Sequence, residues 1–354
     1  MSTNGKTGPI LKSLKAADLS VCDEAASFLQ SSFWGRFKSH FGWTPWAFMA
    51  EWESGAYSET KPLLVLRRKI AFGIFLAYVP WGPELPANTP RIEATEELAV
   101  RLRDMLPKNT VFIRFDLPWE ETAVQMPPSF VRSAVDIQPP DTVIIDLTRP
   151  MTMIMENMKP KWRYNARLAI KKGVKVYQAG TEKLDVFHGL LSETARRDGI
   201  LIHGFEYYKT LFEASCTASG SFPNKNELRL YLAEHEGEII AGIVTLFRCK
   251  DAVYLYGASS NNKRNLMAPY ALQIKAMEDA KAYGCTEYDL FGIPPNNDPS
   301  HPMAGLYLFK TGFGGKIIHR AGCWDHPNHL IVYYFLRYVE MLRKWFMILK
   351  KPHR

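Results

Sequence analysis

Residues 227–260 read ELRLYLAEHEGEIIAGIVTLFRCKDAVYLYGASS. Three runs rich in apolar, β-branched and aromatic residues are separated at Glu236-Gly237 and Lys250-Asp251. The stretch therefore predicts a three-stranded antiparallel meander. Residues 268–284, APYALQIKAMEDAKAYG, follow with helical spacing and end on Gly284, suited to a helix C-terminus. Residues 286–293, TEYDLFGI, return as a strand.

Upstream of the meander, residues 151–173 (MTMIMENMKPKWRYNARLAIKKG) read as helix, restarted near Pro160. GVKVYQAG is a strand, and KLDVFHGLLSETARRDG and FEYYKTLFEASC are helices. The same order is legible in the first half. Residues 25–54 read as largely helical and aromatic. A strand hairpin follows, turning across Arg67–Lys69 with its charges at the tip. EATEELAVRLRDML reads as a helix carrying Glu97 and Arg101 at i, i+4 spacing. TVFIRFDLPW and then residues 142–147 are strands. Helix–helix–meander–helix–strand is the element order of an acyltransferase-type α/β domain, here twice, with a boundary expected at Arg149-Pro150.

The chain has 354 residues, enough for two domains at roughly 150 residues each. Apolar residues make up 47% and charged residues 23%, which excludes wholesale disorder, collagen and a disulfide-stapled mini-protein. Lys and Arg number 44 against 36 Asp and Glu, a formal net charge of +8. That balance suits phosphate, nucleic acid or an anionic membrane surface without choosing among them. Five cysteines, odd in number and without CxxC, suit a reducing compartment, and the polar N-terminus has no apolar signal core. A cytoplasmic location is expected. The most apolar stretch, residues 331–350, carries Arg337, Glu340, Arg343 and Lys344 and fails as a membrane span. Its spacing is helical. Arg337, Glu340, Arg343, Lys344 and Lys350 fall in one arc, opposite Phe335, Leu342, Trp345, Phe346 and Leu349. Either a docked terminal helix or a helix at an anionic bilayer, supported by the closing LKKPHR, fits that pattern.

Residues 159–172 hold Lys159, Lys161, Arg163, Arg167, Lys171 and Lys172 with no acid. Arg163, Arg167 and Lys171 recur every four residues. A solvated helix face competes here with a phosphate or nucleic-acid contact. Residues 306–316, LYLFKTGFGGK, are not a phosphate-binding P-loop. Lys310 stands where the first glycine belongs, and Ile317 where Ser or Thr belongs. His319, Cys323, Asp325, His326 and His329 are spaced unlike a common zinc site, so no metal is expected. No GxSxG, no Rossmann glycine pattern and no acetyl-coenzyme A loop is present. Coenzyme A is therefore not the expected donor.

Several stretches together resemble the FemABX family of tRNA-dependent peptidoglycan aminoacyltransferases. These are SFLQSSFWGRFKSHFGW, KPKWRYNARLAIKKGV, ETARRDGI followed by EYY, residues 254–293, and GLYLFKTGFGGK. They run in family order across residues 28–324. The resemblance implies an α/β fold of two tandem N-acetyltransferase-like (GNAT-like) domains, with mixed sheets flanked by helices. The expected first domain is residues 1–149, completed by residues 324–354, and the second is residues 150–323. Helices within residues 180–219 are short, so the chain is similar to the compact members without a coiled-coil arm. The implied activity is transfer of an amino acid from aminoacyl-tRNA to the stem-peptide amine of a UDP-linked or lipid-linked muramoyl peptide. No cofactor is needed beyond aminoacyl-tRNA as co-substrate.

The resemblance assigns Phe309-Lys310 to the functional Phe-Lys and Asp116 to a strand-end aspartate, with Asp289 a rival for a general base. It assigns Lys38 to precursor phosphates and places Arg197 and Tyr207 among precursor-contacting positions. Tyr256 at a strand end, and Arg264 and Asn265 before a helix start, are further candidates for an anionic acceptor. Lys161, Arg163 and Arg167 are candidates for the tRNA acceptor end. Two alternatives stay open: an acyltransferase of this fold acting on a polysaccharide or protein amine with another donor, and a non-enzymatic binding protein built on the same duplicate.

Overall fold

The computed structural model describes residues 8–121, 123–217 and 224–349, with side chains up to Leu342. The expected charges at Arg343, Lys344 and Lys350, the apolar Trp345, Phe346 and Leu349, and the rest of LKKPHR lie outside the described side chains.

The chain divides into two compact units. One takes residues up to Pro140 and from Arg320 onward; the other is Asp141–His319. The division falls before the strand Asp141–Asp146 rather than at Arg149-Pro150, because that strand is hydrogen-bonded within the second unit's sheet. At the other end it falls four residues before Trp324, the start of the segment expected to complete the first domain.

In the first unit, β1 (Ile10–Ala17) precedes α1 (Ser32–Ser39). Then come β2 (Trp43–Ser54), β3 (Tyr57–Ala71) and β4 (Ile74–Val79). Helix α2 (Arg91–Met105) crosses over to β5 (Thr110–Leu117), followed by the short β6 (Val131–Arg132). In the second unit, β7 (Asp141–Asp146) leads to α3 (Met151–Asn157) and α4 (Pro160–Lys171). Next are β8 (Lys175–Ala179), α5 (Leu184–Asp198) and α6 (Phe205–Thr217). The meander is β9 (Glu227–His235), β10 (Glu238–Arg248) and β11 (Asp251–Ser259). Helix α7 (Ala268–Tyr283), β12 (Glu287–Asp289), α8 (Ala304–Thr311) and β13 (Lys316–His319) complete it. The chain then returns to the first unit as β14 (Gly322–Pro327) and α9 (Leu330–Leu349).

Each unit is built on a seven-stranded mixed sheet. The orders are β1-β2-β3-β4-β5-β14-β6 and β13-β7-β12-β11-β10-β9-β8. Read from β1 and from β8, the two run alike. A meander is joined through one helix to a parallel strand, β4 with β5 and β11 with β12. An antiparallel strand and an edge strand follow. The small residues Ala271, Ala276 and Ala280 of α7 let it lie close on the second sheet, where all three are buried with Leu272 and Met277.

Three sequence expectations fail locally. Residues 43–54 are strand, not helix: Phe48, Ala50 and Trp52 alternate inward at period two, and aromatic density masked that alternation. The β3–β4 turn lies at Phe72-Gly73, not across Arg67–Lys69, so Phe72 rather than the charges occupies the tip. In the second meander one turn falls at Glu236-Gly237 as expected, with both residues at positive φ; the other sits at Cys249-Lys250, one residue early. Glu97 and Arg101 pair at 3.7 Å.

Candidate active site

Strand β11 is the spine of the site in the second unit. Its register against β10 slips between Tyr254 and Tyr256, a bulge that re-aims the side chains on either side. Lys310, on α8, lies with its ammonium 5.3 Å from the Tyr254 ring centroid. The amine donates to the carbonyls of Phe291 (2.7 Å) and Gly292 (2.9 Å). Phe291 sits at φ +55°, a costly conformation for a bulky residue. The strain sits in the turn that presents these carbonyls to the lysine. Lys310 is buried, and burial pulls its pKa down to about 7, opposed by the charge of Asp289. Asp289, also buried, accepts from the Thr142 hydroxyl and from the Phe291 amide (2.7 Å). The same turn thus ties Asp289 and Lys310 together.

Phe309 is packing rather than polar chemistry. Its ring meets Tyr270 and Phe313 edge-on at 5.3 and 5.2 Å, and its carbonyl accepts from the Trp162 indole at 2.8 Å. The glycines after α8 serve close approach of protein to protein. A Cβ at Gly312 would collide with the Trp162 ring, and one at Gly314 (φ +80°) with the Asn157 carbonyl. A cavity of about 320 Å³ opens beside this turn, lined among others by Asp146, Arg149 and Lys316, but not by Lys310, Tyr254 or Tyr256.

Further along β11, Tyr256 meets Tyr208 at 5.2 Å, and Tyr207 and Tyr256 share a hydrogen bond. Burial pushes the phenol pKa of both Tyr207 and Tyr256 up, so they act as neutral hydrogen-bonding groups. His203 stacks on Tyr207 at 3.7 Å. Arg197, from the C-terminal turn of α5, donates to the Ser259 carbonyl (2.9 Å) and to Asn261 (3.1 Å), and pairs with Asp198 at 2.8 Å. The fold thus brings Arg197, Tyr207 and Tyr256 together at the end of β11. Arg264 and Asn265 are exposed just before α7, whose first turn has no side-chain cap.

The basic ridge of α4 is narrower than its sequence suggests. Arg163 donates to the carbonyls of Glu156 (2.7 Å) and Met158 (2.6 Å), which end α3. Lys161 and Arg167 are exposed, but six residues apart they point roughly 120° from one another. Trp162, inside the same run, is the residue that touches α8, and its signal was hidden among the charges.

In the first unit, Lys38 lies over Trp34 at 5.4 Å, its pKa lowered to about 8 by burial and then by Arg68. Arg68 covers Trp43 (5.3 Å), Trp43 meets Tyr78 (5.9 Å), and the Tyr78 hydroxyl donates to Asp116 (2.8 Å). Asp116 also accepts from the Gln138 amide at 3.2 Å, and burial raises its pKa to about 6. Three of the residues weighed as metal ligands have other partners. Asp325 binds Arg114 (2.7 Å), His319 pairs with Asp141 (2.6 Å), and His329 contacts the Lys108 carbonyl (2.8 Å). Among the described residues no group of three or more His, Cys, Asp or Glu is placed to hold a metal ion.

Two mixed α/β units in tandem, one with a buried lysine facing a bulged central strand, define a tandem GNAT-like protein. A solved tandem GNAT protein from the clavulanic acid pathway shares the fold at TM-score 0.51 and 11% identity, covering 89% of this chain and 98% of its own. The structure titled as that of FemX aligns at TM-score 0.78 and 18% identity, covering 92% of this chain and 100% of that one. The FemAB family model matches residues 129–218 and 223–341, more than half of the sequence, and the chain belongs to the FemAB family. A curated relative, lipid II:glycine glycyltransferase of Staphylococcus epidermidis, is 24% identical over 258 residues. That match takes in 58% of this chain and 62% of the relative, so the chain spans under two thirds of the relative's length.

Proposed function

We propose that this protein is an aminoacyltransferase that moves an amino acid from aminoacyl-tRNA to the stem-peptide amine of a lipid-linked muramoyl peptide, in cell-wall cross-bridge synthesis at the inner membrane face. Family membership and the name of the curated relative support the acyl transfer and the lipid-linked acceptor. The observation that carries the reading is Lys310, a buried amine poised near neutrality with two N–H groups spent on carbonyls.

In this mechanism the acceptor nitrogen attacks the ester carbonyl carbon of the donor. An N–C bond forms and the carbonyl oxygen becomes an oxyanion. Protonated Lys310 has a third N–H left to stabilise that charge in a low-dielectric site. The ester C–O bond then breaks, and the proton from the attacking nitrogen goes to the departing ribose oxygen. No protein base is required for that balance. Asp289 holds the Lys310 ammonium against burial, while Asp116, closed in by Tyr78 and the Gln138 amide, is structural. Within the second unit, Arg197, Tyr207, Tyr256, Arg264 and Asn265 bind anionic groups of the acceptor; within the first unit, Lys38 is the candidate for a phosphate. Lys161 and Arg167 meet the tRNA acceptor end.

The test is transfer of radiolabelled amino acids from a charged bacterial tRNA pool to lipid II and, separately, to UDP-N-acetylmuramoyl-pentapeptide. Label reaching lipid II, abolished by ribonuclease, is the expected result. No transfer to either acceptor, while a known transferase works in parallel, overturns the proposal.

A further inference from the structure

Helix α9 docks on the first unit by the side that sequence spacing marks as polar. Its described part carries two charged residues, Arg337 and Glu340, and both face the body. Arg337 donates to the Arg132 carbonyl, and Glu340 accepts from the buried Arg114 at 3.0 Å. Between them Tyr333, 1% exposed, donates to Asp325 at 3.0 Å. The opposite side is therefore apolar and faces solvent. Ile331, Tyr334, Phe335, Tyr338, Met341 and Leu342 share an arc of about 120°. Ile331 is 89% and Phe335 66% exposed. A surface helix of a soluble domain normally shows the reverse arrangement, and an apolar face this continuous marks an interaction site.

A second, independent feature adjoins it. The β3–β4 turn has positive φ at both central residues, Phe72 (+30°) and Gly73 (+78°). Asn-Gly is the unstrained choice for such a turn. A phenylalanine there is costly, and its side chain is fully exposed, at 101%. The turn reaches the start of α9 through the segment before β5. Asn109 donates to the Gly73 carbonyl (2.9 Å), and His329 contacts the Lys108 carbonyl (2.8 Å). Ile74 and Leu76 of β4 pack in one cluster with Val332 and Leu336 of α9. Residues 67–83 contain three cations and no carboxylate, and Arg68, Lys69 and Lys108 are exposed.

We infer that the outer face of α9 and the Phe72 turn form one docking surface for an anionic lipid bilayer. The helix lies flat in the headgroup region, Phe72 inserts, and Lys69 and Lys108 meet lipid phosphates. The cations choose a charged bilayer over a second copy of this basic chain. No helix among the described residues is long and apolar enough to cross a membrane, so this contact is peripheral. The inference deepens the lipid-linked acceptor reading and rests on it for its biological setting, but its physical test does not use the acceptor.

The test is flotation of the full chain with phosphatidylcholine vesicles, with and without phosphatidylglycerol, carrying no muramoyl lipid. The full chain is expected to float with the anionic vesicles, weakly with neutral ones, and less as salt rises. Phe72→Asn, which suits the turn and leaves melting temperature unchanged or higher, is expected to weaken binding about tenfold. Ile331→Ser, Phe335→Ser and Tyr338→Ser together bring it to background, and Lys69→Glu with Lys108→Glu removes the anionic preference. Absence of wild-type binding overturns the inference, as does wild-type-like binding by the folded helix variant. A wild-type dimer that the helix variant converts to monomer also overturns it, by giving this face to a second copy. Transfer activity with vesicle binding absent would leave the transferase reading standing and this one fallen.

Discussion

Arg114 in the first unit and Lys310 in the second are both buried cations, and they have opposite fates. Arg114 in β5 is 4% exposed and Lys310 in α8 is 6% exposed. Arg114 grips Asp325 through two nitrogens, at 2.7 and 2.9 Å, and Glu340 through two more contacts. Burial alone would lower its pKa, but the two carboxylates overcome that and raise it. Lys310 has carbonyls and an aromatic face instead, and burial wins. Equal burial therefore says little about role; the partners decide. Arg114 is a permanently charged tie between β5, β14 and α9, whereas Lys310 can gain or lose a proton near neutral pH.

The largest break in that comparison is Asp325→Ala. It leaves Arg114 buried with half its compensation, and should cost about 3–5 kcal/mol in denaturant unfolding. A loss under about 1 kcal/mol would mean Arg114 does not depend on its pair. Lys310→Met should do the reverse. Transfer falls on the order of 10²–10³-fold, about 2.7–4 kcal/mol of barrier, with no loss of stability at pH 7. The sign follows from linkage. The folded state binds this proton less tightly than the unfolded chain, so wild-type stability rises with pH between about 7 and the ordinary lysine value of 10.5. That rise should vanish in the variant.

Asp116→Asn is next. Its raised pKa means that the folded state holds the proton. The stabilising contribution is present below the ordinary 3.8 and is lost as pH rises through about 6. Melting across pH 3.5–7 should lose that acid-side term, on the order of 1–3 kcal/mol, while transfer stays within about threefold. A larger loss of transfer at unchanged stability would move the general-base role back to Asp116. Glu97→Gln is the smallest, a few tenths of a kcal/mol in melting, because its pair with Arg101 is half-exposed.

From α3 to β12 the second unit was read from sequence element by element, because turns at Glu236-Gly237 and next to Lys250 separate its strands and Gly284 closes α7; α8 and β13 were not read, since that stretch showed only a glycine-rich turn. The first unit was read less well, since its aromatic β2 hides a period-two pattern and β14 pairs with β5 from some 200 residues away. At the candidate site, Lys310 was singled out through the Phe-Lys setting that the family resemblance supplied, and the structure shows it buried. The carbonyls of Phe291 and Gly292 were not legible, because no side chain marks a backbone group that a strained turn presents. The partners of Arg163 were hidden for a similar reason: charge spacing shows where a guanidinium sits, not that carbonyls at the end of α3 accept from it.

The return of β14 and α9 has a consequence for synthesis. Strand β5 is buried along its whole length in the finished protein, between β4 and β14. While a ribosome makes residues 141–319, one edge of β5 has no partner and Arg114 no Asp325. An unpaired strand edge is an invitation to pair with another chain. The nascent first half must wait for the last segment, guarded or slow to collapse, and a chain cut short near residue 319 would be expected to aggregate rather than leave a working second half.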